Sequence, residues 1–467
     1  MVVHKREDFG MTRDLTKGNI PKLLLGFLIP IIFGKLFQQI YGVVDAAIVG
    51  RTLGVVALGG VGSTGSLNFL ILGFCDGLTS GFALPVAQAF GAGDVKQLRR
   101  YVTNSVYLCV IITVILMAVV LPLTGKLLTL MGTPASQYDF AYNYIFIIFV
   151  GIPATILYNM LAGIIRSLGD SKTPIYFLVL ASVLNIFGDL LLIRTFGMGV
   201  AGAAWATVAS QLISGILCYI YMMKRFPILH MEKGDWKWES FSVKYLLANG
   251  LPMGFQFSIT AIGGVVLQST INALGPVCVS AQAAGHRITM LVIVPFNAYL
   301  NVSSTFTGQN MGAGEFDRIK KGVLWGHVIL TCFWLAESVA VTLLGDRMLL
   351  LFLTEEDIAL VREPAMLSIL CFTYGMFFLT TVQVVRLAIQ GMSFSRLALV
   401  AGLLEMIARA GSGLFLVPRF GFIAACLAPG IGWFMADLFL IPAFVACFRK
   451  RRAEYEAKRA SRFKAAM

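Results

Sequence analysis

The sequence predicts an all-α integral membrane protein, with twelve transmembrane helices in two pseudo-symmetric six-helix bundles around a central cleft. Three observations predict it. The composition is 58% hydrophobic and only 13% charged, whereas a soluble domain carries about 25% charged residues. Apolar windows of about 20 residues, the length that crosses the hydrocarbon core, recur twelve times along the chain. A long-range repeat joins AQAFGAGDVKQLRR (87–100) to TGQNMGAGEFDRIKK (307–321), setting Gln88 on Gln309, Gly91 on Gly312, Gly93 on Gly314 and Asp94 on Glu315, an offset of 221 residues.

The helices follow from the windows and from the Gly-, Pro- and Asp-marked breaks between them. The first half places them near 23–50, 56–89, 101–122, 138–165, 173–194 and 200–222, with LGDSKTP and RTFGMG as short connections. The second half places them near 244–273, 280–311, 322–345, 363–389, 395–417 and 422–448. Around them lie an N-terminal segment (1–22), a longer linker (223–243) and a basic tail (449–467). Leu53-Gly54 and Leu274-Gly275 share the repeat offset, and Phe196-Gly197 corresponds more faintly to Phe420-Gly421. Six spans return the chain to its starting side, so the two halves enter the membrane in the same orientation, related by an axis along its normal.

Charge sets the orientation. With both termini on one side, that side holds 28 of the 37 Lys and Arg, including Arg386 and the tail RKRRAEYEAKRASRFK. The positive-inside rule therefore makes the termini and the linker cytoplasmic. The net charge of +13 is accounted for by topology and by anionic lipid beside the tail, so no nucleic-acid partner is implied. Eight cysteines in apolar segments without a CxxC pair read as reduced packing residues. Four scattered histidines give no catalytic constellation, so the chain reads as no enzyme and needs no cofactor beyond a coupling ion.

At this point the residues carry a resemblance. FLIPIIFGKLFQQIYGVVDAAIVGRTLG, the paired G-x-G-D/E motif, RSLGDSKTP and SVLNIFGDLLLI resemble, in order and over essentially the whole chain, the multidrug and toxic compound extrusion (MATE) transporters. The resemblance implies a secondary active antiporter of the cell membrane that exports amphipathic, cationic drugs or toxic compounds in exchange for sodium or protons by alternating access. It also implies a monomer whose partners are the lipid bilayer and small amphipathic molecules. The alternative within the same superfamily is a flippase or exporter of a lipid-linked saccharide or other amphipathic metabolite. That reading asks for a strongly basic cavity, and the positives placed within the helices are only Lys35, Arg287 and Arg409.

Asp45 carries the functional reading. An aspartate at a helix centre costs about 2.5–3.5 kcal/mol on insertion scales, so it needs a partner, a proton or a task. Asp45 and Asp189 each fall about five residues, about 8 Å, from the outer ends of their helices. Asn185 lies one turn before Asp189, Thr207 returns to a similar depth, and Gln38 precedes Asp45 by two turns. Carboxylate, amide and hydroxyl oxygens are the donor set of a hard cation such as sodium. The resemblance independently places the family's sodium or proton site on Asp45, Asn185, Asp189 and Thr207. Where some family members carry acids in the seventh and tenth helices, this chain has Thr260 and Thr380.

Gln39, Tyr41, Gln256, Phe257 and Met290 are the expected lining of the substrate cavity, offering apolar area and cation–π contact. Glu405 and Arg409, at i and i+4, read as an internal ion pair. Lys35 reads as reaching for the inner interface, and Glu337 and Asp437 have no partner legible in the sequence.

Overall fold

The computed structural model describes residues 14–350 and 355–466, and the expected N-terminal segment lies outside them as far as residue 13. Among the described residues all regular structure is helical. Eleven helices among the described residues are long and apolar enough to cross a membrane, and there are twelve if the pair bent by 48° is counted as one span.

The first half consists of α1 (Ile20–Leu53), α2 (Val55–Ser63), α3 (Gly65–Ala92), α4 (Val95–Leu130), the bent pair α5 (Ala135–Val150) and α6 (Ile152–Ser167), α7 (Thr173–Asp189) and α8 (Val200–Arg225). The second half consists of α9 (Ser240–Asn272), α10 (Pro276–Val292), α11 (Val294–Ala313), α12 (Phe316–Leu349), α13 (Glu355–Gly391), α14 (Ser395–Gly411), α15 (Val417–Phe420) and α16 (Phe422–Ala466). Two π turns interrupt this pattern, Leu190–Thr195 after α7 and Ser412–Leu416 after α14.

Hydropathy windows find the apolar middle of a helix and miss its polar ends. α4 runs 36 residues, about 54 Å at the α-helical rise, and α16 carries its helix through the basic tail to Ala466. Lys, Arg, Glu and Ala are good helix formers, so nothing in the tail stops it. Val110, Val114 and Val119 on α4 are exposed, as expected of a helix whose outer face meets lipid rather than protein.

Ile29–Gly254 forms one compact unit, and Leu15–Leu28 with the chain from Phe255 onward forms the other. The division falls inside α1 and α9, the first helix of each half. Each end is pinned by one member of the repeated glutamine pair. In the first unit Gln88 Oε1 accepts from the Tyr245 hydroxyl at 2.8 Å. In the second, Gln309 Oε1 accepts from the Leu15 amide at 2.9 Å, and Arg318 donates to the carbonyls of Gly18 and Leu15 at 3.0 and 3.1 Å.

Backbone geometry sharpens the repeat. Gly93 and Gly314 end their helices at φ 70°, ψ 17° and φ 76°, ψ 18°, and Gly54 and Gly275 open theirs at φ 88°, ψ 173° and φ 101°, ψ 169°. The partner of Gly421 (φ 65°, ψ −147°) is Gly199 (φ 60°, ψ −145°), two residues beyond the Gly197 that sequence matching selects. Similar apolar neighbours hide this shift. Gly197 shares the positive φ, at 65°, so what reveals the shift is the matching ψ together with the place directly before α8 and α16.

The core of the first unit is apolar, with Cys75, Leu78, Phe82, Phe149, Ile152 and Ile165 at or near full burial. All eight cysteines are free. At the bend between α5 and α6, Pro153 cannot donate to a continuing helix, and Gly151 gives room to Val208 of α8, with which a Cβ would collide. α3 and the start of α9 meet backbone to backbone, a Cβ on Gly81 falling 2.5 Å from Gly250 Cα and 2.8 Å from the Asn249 carbonyl. Gly81→Val is therefore expected to destabilise the first unit by about 1–3 kcal/mol or more, the usual cost of overpacking. Thermal unfolding in detergent reads this, and a wild-type transition would mean that the contact is looser than its geometry.

The linker and the tail each clamp one end of a unit. Arg99 Nε donates to the Ile228 carbonyl at 2.8 Å, Arg100 pairs with Glu239 at 2.5 Å, and Thr103 donates to the Asp235 carbonyl at 2.8 Å. On the other unit Arg451 donates to the Met392 carbonyl at 3.0 Å and stacks over Phe394, while Tyr455 packs against Phe316.

Candidate functional site

α7 sets the frame of the site. Asn185 and Asp189 project from one face, 2% and 0% exposed, and the π turn begins at the next residue. π turns widen a helix and concentrate at functional positions. From α8, Thr207 accepts from Asn185 Nδ2 at 3.2 Å and passes its own hydroxyl hydrogen to the Ala203 carbonyl at 3.1 Å. This fixes the orientation of the amide and leaves Asn185 Oδ1 as its free acceptor.

From α1, half-buried Asp45 brings its carboxyl against that of Asp189, close enough for a proton on either to bond the other. Unprotonated, the group has a conspicuous deficit. Asp45 Oδ1, Asn185 Oδ1 and both carboxylate oxygens of Asp189 are buried with no hydrogen-bond donor. Each donorless buried acceptor costs about 1–3 kcal/mol, more when charged. Four of them on two helices call for a species that supplies positive charge and nothing else, which is a proton or a small cation. Two further groups surround the acids. Tyr41, one turn before Asp45, and Tyr144 on α5 both lie within electrostatic range of Asp45 and Asp189.

Asp45, Asn185, Asp189 and Thr207 are thus brought together. Asp45 lies eight residues from the end of α1, which continues past Gly50 to Leu53, so matched distance from helix ends was a looser guide than contact. Gln38 is not part of the group. It is exposed and two turns, about 10 Å, away along α1, since sharing a helix face does not mean sharing a layer.

The expected cavity residues are divided between the two units. Tyr41 belongs beside the acids of the first unit, where Gln39 is half-buried. In the second unit Gln256 is 6% exposed and accepts from Gln390 Nε2 at 2.8 Å, so its amide is already engaged. Phe257 is half-buried and Met290 is exposed. Lys35 does not stand alone near the interface, because Asp76 and Arg166 are its electrostatic neighbours.

Two residues escaped the sequence reading. Tyr144 sits among Tyr138, Tyr142 and Phe146 and looks like one more interfacial aromatic. Arg386 was assigned to the cytoplasmic charge but is 8% exposed within α13, bonding Glu405 at 2.9 Å and Gln383 at 3.1 Å. Arg409 is the longer partner of Glu405, at 3.7 Å.

A model of the MatE family matches residues 30–191 and 252–410 of this chain. The chain belongs to the MatE family. Its members are membrane transporters, and this MatE protein is a multi-pass membrane protein of that kind. It is 31% identical over 348 residues to a protein of Bacillus subtilis named "Probable multidrug resistance protein YpnP", covering 74% of this chain and 77% of that one. It is 22% identical over 350 residues to a protein of Shewanella oneidensis named "FAD transporter", covering 74% of this chain and 77% of the relative. Its fold matches that of a multidrug resistance MATE family transporter of the MOP superfamily, solved in an outward-facing conformation. That match has a TM-score of 0.88 and 22% identity, over 96% of this chain and 100% of the other.

Proposed function

We propose that this MatE protein is a secondary active antiporter that exports amphipathic, cationic compounds in exchange for sodium or protons by alternating access. In this reading it works as a monomer in the cell membrane with both termini cytoplasmic. The observation that carries the proposal is the donorless quartet of oxygens on Asp45, Asn185 and Asp189. A cation or proton that satisfies them favours the packing of α1 against α7 in which they meet. If substrate favours another packing, binding of one opposes binding of the other, and the ion gradient drives export. The name of the Bacillus subtilis relative supports drugs as substrates. The name of the Shewanella oneidensis relative favours a second reading, export of an amphipathic metabolite, through the same ion coupling.

Reconstituted vesicles with an imposed sodium gradient and, separately, an imposed pH gradient test this, with a lipophilic cationic dye and FAD as the two probes. Export of the dye under at least one gradient is expected. Movement of FAD alone would select the second reading, and movement of neither under either gradient would overturn both.

A further inference from the structure

The second unit contains a buried charge network of its own. Arg386 on α13, Glu405 and Arg409 on α14, and Asp437 on α16 bring two positive and two negative groups together in the membrane interior. Glu405 is 3% exposed and engages both arginines, Arg386 at 2.9 Å and Arg409 at 3.7 Å. Arg409 lies over the Trp433 ring, 5.7 Å from its centroid, one turn before Asp437. The space for it is set by Gly432, where a Cβ would press on Arg409 Cγ at 3.3 Å. These contacts belong to three packed helices, and they account for three of the four charges.

Asp437 is the exception. It is 6% exposed, its Oδ1 has no donor, and among the described residues no cation lies at ion-pair distance from it. Glu405 and Arg386 are the charged groups that act on it, from α14 and α13, and Arg409 of α14 lies over Trp433, the residue one turn before Asp437 on α16. Arg386 spends Nη1 on Glu405 and Nη2 on Gln383, while its Nε is buried with no acceptor. Arg409 Nε is unfilled as well, so two unfilled donors and an unfilled acceptor of opposite charge sit in one network without meeting, and of the two arginines it is Arg386 that acts on Asp437. A lone buried carboxylate is too costly to persist as such. Either a proton resides on it or the guanidinium comes to it.

We propose that Asp437 is a second proton-binding site, and that Arg386 is shared between Glu405 and Asp437. With Arg386 held by Glu405, Asp437 carries the proton. When the proton leaves to water, the carboxylate accepts a hydrogen bond from Nε of Arg386, and the guanidinium that ties α13 to α14 through Nη1 is then shared with α16. Arg386 acts here as a positioning residue, and the ligand is the proton alone. The site is separate from the ion site of the first unit and does not depend on it.

Difference infrared spectra of the full chain in lipid, recorded stepwise from acid to alkaline pH, read the carbonyl stretch of protonated carboxyl groups directly. The expected titrating band disappears in Asp437→Asn, moves in Asp437→Glu, shifts its midpoint in Glu405→Gln, and persists when Asp45 and Asp189 are both replaced by Asn. The Glu variant keeps the test decisive where Asn fails to fold, because a band unmoved by Asp437→Glu overturns the proposal. Superimposable spectra of wild type and Asp437→Asn overturn it equally. Proton-driven export of Asp437→Asn is expected to fall about fivefold or more, the scale of a typical coupling between sites, with dye binding unchanged. Undiminished export in Asp45→Asn would instead count against the first-unit reading and leave the infrared result untouched.

Discussion

Asp189→Asn, measured in vesicles with an imposed gradient, is expected to lower ion-driven export about 100-fold, near the top of the range for coupling between two sites. The same loss is expected of Asp45→Asn. The amide is isosteric, so it keeps the packing of α7 and one acceptor oxygen. It cannot carry the negative charge or take up the proton. Both variants should stay folded in the membrane, because an amide supplies its own donors to a group whose deficit is donors. Full retention of export in both would remove the proposed role. Thr207→Val tests the geometry rather than the charge. It frees the Asn185 amide from its 3.2 Å anchor, and a smaller loss of about tenfold is expected, in line with removing a group that orients an ion ligand.

The second large effect is on stability. Glu405→Ala leaves Arg386 and Arg409 in the second unit without their carboxylate, and removing one partner of a buried pair costs about 3–5 kcal/mol. The thermal transition of the purified protein should fall accordingly. Replacing Arg386 and Glu405 together by Met and Leu should recover most of the loss, since an apolar pair of similar volume leaves no uncompensated charge. A Glu405→Ala variant that unfolds at the wild-type temperature would contradict the buried pairing.

The sequence made the spans legible because crossing hydrocarbon imposes a length and a polarity on every helix, and neither depends on tertiary structure. It was weaker on helix ends, where the constraint lapses and ordinary propensity carries α4 and α16 further. Asp45, Asn185, Asp189 and Thr207 were legible because an acid in an apolar run is rare, and three other oxygen-bearing groups fell at comparable depth. Tyr144 was not, since its neighbours are aromatic and nothing local separates it from them. Arg386 was missed because an arginine close to a helix end satisfies the positive-inside rule. Its burial follows from Glu405, 19 residues away, and no local window connects the two. Gln38 failed for the opposite reason, as helical periodicity gave it a face without giving it a neighbour.

Both halves carry a wide turn at the same place, Leu190–Thr195 in one and Ser412–Leu416 in the other. An irregularity shared at equivalent positions is most simply inherited from a single ancestral half that already had it before the gene doubled. The chemistry then diverged around a common frame. Asp189 precedes the turn in one copy and Gly411 in the other, and the counterpart of Asp45 is Val266. Glu405 and Asp437 in turn answer to Val183 and Gly215. Duplication thus supplied two scaffolds, and each copy later acquired or kept acids where its twin is neutral.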